Sequence, residues 1–108
     1  MLLDEQATQI LLSTDLIAER VGKVGRATIR SIVHIVKLSS IKDNDCDQGP
    51  AADMLAELRT DNLLLVDALK HAKSTADAAG DNASSGVIDT WTDEAEQRAW
   101  FLLESARG

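Results

Sequence analysis

"MLLDEQATQILLSTDLIAERVG", residues 1–22, carries Leu3, Ala7, Ile10, Ile17 and Val21 at helical spacing, with Thr14 in the remaining heptad slot. This predicts an amphipathic helix. Its acids are harder to place. Asp15 and Glu19 stand one turn apart, and two like charges at i,i+4 repel by roughly 0.2–0.5 kcal/mol. In a helix the pair is separated by about 6 Å of rise and about 40° of rotation, so both carboxylates reach one point. They can hold a cation that favours oxygen ligands. Asp4 lies eleven residues before Asp15, which returns it to within about 20° of the same direction but leaves it roughly 16 Å away along the axis. Asp4 therefore cannot share an ion with Asp15 inside one chain. Two copies packed antiparallel about a twofold axis would bring Asp4 of one chain to Asp15 of the other, giving two equivalent sites across a dimer interface.

The rest of the chain reads as helix too. The 108 residues suit one domain, and 44% of them are hydrophobic. Leu, Ile, Val and Ala fill the apolar positions, with two tryptophans and one phenylalanine as the aromatics. Gly22 and Gly25 interrupt the first pattern. Residues 28–36, "TIRSIVHIV", are β-branched, but Ile29, Ile32, Val33 and Val36 follow i, i+3, i+4, i+7 and predict a short apolar helix. "KDNDCDQG" (42–49) is a polar loop. Pro50 is expected in the first turn of a third helix, where its missing N–H does no harm. The stripe of that helix is Leu55, Leu58, Leu65, Leu69, Ala72 and Ala76, widened by Leu63, Leu64 and Val66. Gly80 is its expected stop, and residues 81–85 offer N-caps for a last helix with Ile88, Trp91, Ala95 and Leu102 inward.

The formal net charge is −7, yet Arg20, Lys23, Arg26, Arg30 and Lys37 fall in a stretch, 20–37, that has no acid. A chain-wide nucleic-acid footprint is not supported. The lone cysteine, Cys46, allows no internal disulfide and reads as an exposed bystander in a reducing compartment. The start has no basic region of a leader, and no apolar run approaches the roughly 20 residues of a membrane span. His34 falls in the short apolar helix and His71 between lysines, neither in a ligand pattern; no Ser/His/Asp set, phosphate loop or zinc cysteine pattern is present.

In order along the chain, "LLDEQATQI", "TDLIAERVGKVGRATIRSIVHI", "DMLAELRTDNLLLVDALKHA" and "GDNASSGVIDTWTDEAEQRAWFLLE" resemble the Dps family, the dodecameric mini-ferritins that protect bacterial DNA during starvation. The resemblance implies a ferritin-like four-helix bundle with a short helix in the long crossover. It implies a ferroxidase site shared by two subunits, with Asp15 and Glu19 from one and Asp4 from the other. It further implies iron as the metal, oxidation of Fe(II) by hydrogen peroxide, ferric storage in a cytoplasmic homo-oligomer, and possible DNA binding, which the acidic charge does not support. In the family, a full first helix, half of the second and the histidine ligands precede the point matching Met1. The expectation is thus a domain, residues 1–108, lacking its first helix and part of its second, with function impaired when alone.

Two other readings compete. "IAERVGKVGRATIRSIV" (17–33) looks like a helix-turn-helix regulator, and its local positive charge suits phosphate contacts. However, Lys23, Val24 and Gly25 place three residues where such motifs have two, turning the second helix by about 100°. The other is a helical interaction module without chemistry.

Overall fold

The computed structural model describes residues 1–25, 31–42, 44 and 49–107. Among them the fold is all-α: α1 spans Leu2–Lys23, α2 Ile32–Leu38, α3 Ala51–Ala78 and α4 Asn82–Arg107. The chain divides into two compact units, residues 1–42 and 43–108.

In the first unit, α1 runs unbroken through the acidic positions. Asp4 and Glu5 lie in its first turn and Arg20 and Lys23 in its last, each favourable to the helix dipole. The helix stops where Gly25 takes a positive φ of 85° and donates its N–H to the Gly22 carbonyl. α2 begins later than its sequence pattern predicts. Ser31 is its N-cap, and the Ser31 hydroxyl accepts from the His34 N–H at 3.1 Å. The helix runs two residues past Val36 and ends at Ser39, whose backbone is extended. The pattern's first residues, 28–30, lie outside the described residues, as does Cys46.

The second unit is an antiparallel pair, α3 and α4, joined by three residues. Pro50 is the N-cap of α3 rather than a first-turn residue: its ψ of 136° is extended, and its carbonyl accepts from the Asp53 and Met54 N–H groups. At the other end Gly80 adopts φ 72°. The Asp81 N–H reaches the Ala76 carbonyl and the Gly80 N–H reaches the Asp77 carbonyl, a Schellman closure. The same Asp81 caps α4, its carboxylate accepting from both the backbone N–H and the hydroxyl of Ser84. One residue thus ends one helix and starts the next, which makes the connector tight and sets the helices antiparallel.

The core of this unit is Val66, Ile88, Ala95, Ala99 and Leu102, with Leu102 and Ala95 fully buried. Ile88, Ala95 and Leu102 face inward as the periodicity predicts, while Trp91 is half-buried. On α3 the inward line differs from the expected one. Leu55, Leu65, Val66, Leu69 and Ala76 are buried or half-buried as expected, but Arg59, Asn62 and Lys73 join them, while Leu58, Leu63, Leu64 and Ala72 are exposed. Polar groups therefore occupy the seam. The Arg98 Nε donates to the Asn62 Oδ1 at 2.8 Å, and the Asn62 amide donates to the Leu58 carbonyl at 2.9 Å. Burial pushes the Arg98 pKa down, against a smaller opposing effect of Glu94. Nearer the connector, Lys73 bonds Ser85 at 2.8 Å and pairs with Asp89 at 2.9 Å.

Candidate metal centre

The three acids singled out from the sequence all lie on α1, and all are exposed. Asp15 and Glu19 occupy adjacent turns of a regular helix, so their carboxylates open to one side, within reach of a common cation. Ser13 and Thr14 return their hydroxyls to the Ile10 and Leu11 carbonyls at 2.6 and 2.7 Å. Those hydroxyls are committed to the helix backbone.

The local cost of the pair is informative. Asp4 gains from the positive end of the helix dipole, whereas Glu19 stands beside the last turn, where the dipole disfavours an acid. Lys23, one turn further on, offsets part of that cost. Asp15 and Glu19 still repel each other, a cost that a bound cation would reverse.

A single chain does not assemble all three acids. Asp4 remains about 16 Å from Asp15 along α1, and among the described residues no three His, Cys, Asp or Glu side chains converge. His34 is half-buried on α2, beside Ser31, Val33 and Lys37 in an open depression, and His71 is exposed on α3. The helix-turn-helix reading falls partly outside the described residues. Its first seven residues, Ile17–Lys23, form the end of α1, and residues 26–30 are not described.

Other acids are perturbed without forming a site. Asp61 is half-buried on α3, and burial, together with the charge of Glu57 one turn away, raises its pKa. Glu57 accepts a hydrogen bond from the Asn44 amide. The polar seam of the hairpin is what sequence periodicity missed. Its signal was present as 3–4 spacing through Arg59, Asn62, Val66, Leu69 and Lys73, visible only when polar residues are allowed at inward positions.

Residues 1–106 match the ferritin-like domain family. A DNA protection during starvation protein of Brevibacillus brevis is 30% identical over 99 residues, which cover 92% of this chain and 66% of that protein. An uncharacterized low temperature-induced protein of Nostoc sp. is 28% identical over 106 residues, 97% of this chain and 59% of that one, and its Anabaena variabilis homolog matches equally. The chain thus spans about three fifths to two thirds of the length of these curated relatives. No solved structure matches it. With the family match running almost end to end over an all-helical chain, this protein belongs to the ferritin-like domain family.

Proposed function

We propose that the chain supplies one face of an inter-subunit ferroxidase centre and takes part in iron storage and detoxification. The observation that carries this reading is the acidic face of α1: Asp4, Asp15 and Glu19 exposed along one side of an unbroken helix, in a chain of the ferritin-like family. Fe(II) is the substrate. Asp15 and Glu19 of one subunit and Asp4 of its partner neutralise the charge of the ion and hold it on the interface. Each of two Fe(II) ions gives up one electron. Hydrogen peroxide accepts both, its O–O bond breaks, and with two protons it leaves as two waters. Delivering the electrons as a pair avoids hydroxyl radical, and the Fe(III) passes to a mineral store inside a dodecameric shell. Protection of DNA follows from removal of peroxide and free Fe(II), without requiring DNA contact from a chain of net charge −7. The setting is the bacterial cytoplasm. None of the described helices is long and apolar enough to cross a membrane.

The test is peroxide-driven Fe(II) oxidation followed by absorbance of the ferric product. In the protein extended by the helix and a half that the family carries ahead of the point matching Met1, Asp15→Ala and Glu19→Ala should each lower the initial rate at least tenfold, the loss of one charged ligand contact. Unchanged rates in both variants would sink the assignment.

A further inference from the structure

The apolar stripes of α3 and α4 each contain one interruption. From Leu55 to Ala76, alternating steps of three and four residues meet a single polar side chain, Asn62. From Ile88 to Leu102 the same steps meet a single one, Arg98. The two interruptions face each other. Arg98 and Asn62 are 5% and 7% exposed, and the Arg98 Nε donates to the Asn62 Oδ1 at 2.8 Å. The Asn62 amide is anchored in turn on the Leu58 carbonyl at 2.9 Å, which aims its oxygen at α4. Leucine at both positions would cover the seam without taking a charge out of water, so stability does not account for the pair.

We infer that Asn62 and Arg98 are a pairing lock, which fixes the register of α3 on α4 at the end of the hairpin farthest from the connector and does so without adding stability. Asn62 and Arg98 each lie eighteen residues from Gly80, about 27 Å along their helices. The second polar bridge keeps the same alignment: Lys73 stands seven residues before Gly80, and its partners Ser85 and Asp89 stand five and nine after it. Apolar heptads repeat every seven residues, so a slip of seven again sets apolar side chains against one another, and a polar residue in the stripe breaks that degeneracy. A slip in one direction sets Arg98 against Leu55 and Asn62 against Trp91. In the other direction Arg98 meets Leu69. Each slip buries the guanidinium away from the amide that accepts from it. A lock differs from a stabilising contact in two ways. Removing one member is harmful while removing both is not, and removing both admits the slipped pairing.

Urea unfolding of the full 108-residue chain, followed by circular dichroism, reads the first difference. Asn62→Leu alone should lower the midpoint by about 1 M, because the buried Arg98 loses its acceptor. Asn62→Leu with Arg98→Leu should return the midpoint to the parent value or above it. Disulfide trapping in a Cys46→Ser background reads the second. Val66 and Ala95 are both buried in the seam, so Val66→Cys with Ala95→Cys reports the native pairing. Arg59→Cys with Ala95→Cys reports the slipped pairing, since position 59 stands seven residues, about 10 Å, further along α3 than position 66. With Asn62 and Arg98 in place, only the first pair should close within the chain on mild oxidation. In the double leucine variant the yield of the second pair should rise at least about tenfold. A double variant that unfolds as early as Asn62→Leu alone would make the pair a stabilising contact and overturn the proposal. So would a double variant whose 59–95 pair stays open, or a parent chain in which both pairs close.

Discussion

α1 and the α3–α4 hairpin are built from similar residues and spend them differently. The hairpin turns its leucines, alanines and even an arginine onto one seam, ending with Leu102 and Ala95 out of contact with solvent. α1 leaves Leu11, Leu12 and Leu16 in solvent, and among its 22 residues only Gln6 is buried. The hairpin covers one seam within its own unit and leaves Leu58, Leu63, Leu64 and Trp100 exposed on its outer faces. The exposed apolar surface of α1 is interleaved with acids that repel one another. A covered seam reports on what stabilises the chain, whereas the exposed face of α1 is where the proposed site is to be tested.

That comparison can be broken most directly with one pair of substitutions. Leu102→Ala should lower the stability of the chain by about 2–5 kcal/mol, because a fully buried leucine leaves a cavity. Leu11→Ala should change it by no more than about 0.5 kcal/mol under metal-free, dilute conditions. Urea unfolding followed by circular dichroism measures both, and equal losses would erase the distinction between the two regions. Next in size is the connector. Gly80→Ala forces a side chain into a left-handed conformation at φ 72°, with no neighbouring atom within 4 Å of the added carbon. The expected cost is about 1–2 kcal/mol, from backbone strain alone.

The smallest effect concerns charge. The Asp61 pKa is raised by burial and by Glu57, so the folded state holds that proton more tightly than the unfolded chain does. Ionised Asp61 therefore destabilises the fold above its folded pKa, and the penalty fades as pH falls through that value. Asp61→Asn should gain about 0.2–0.5 kcal/mol at pH 7, with the gain shrinking on acidification. Thermal unfolding at pH 7 and pH 4 would show it. Lys73 runs the other way: its bond to Asp89 raises its pKa, so its contribution is intact below the ordinary lysine value and is lost only as alkaline pH passes the raised one.

The helices were legible in the sequence because a 3.6-residue period survives at every long apolar run, and the stop at Gly80 because only glycine enters the left-handed region without strain. Boundaries were less legible. Pro50 tolerates both the cap and the first turn, since neither needs its N–H, and the start of α2 was decided by the hydroxyl of Ser31. The polar part of α3's inward line was missed because Asn62 is satisfied by Arg98 across the seam and Lys73 by Ser85 and Asp89, and such partnerships are invisible to a search for apolar residues alone. The acidic face was legible as spacing: residues 4, 15 and 19 share a side of any regular helix. A partner chain leaves no trace in the spacing of one sequence except through the distance that a single helix cannot close.

The central claim is that a site is shared between chains, and subunit mixing tests it most directly. Asp4→Ala and the double variant Asp15→Ala/Glu19→Ala should each be inactive in peroxide-driven Fe(II) oxidation. Mixed in equal amounts and allowed to exchange, they should recover about a quarter of the parent rate, since half of the twofold pairs are mixed and each mixed pair rebuilds one of its two sites. No recovery on mixing, or full activity of Asp4→Ala by itself, would contradict the account.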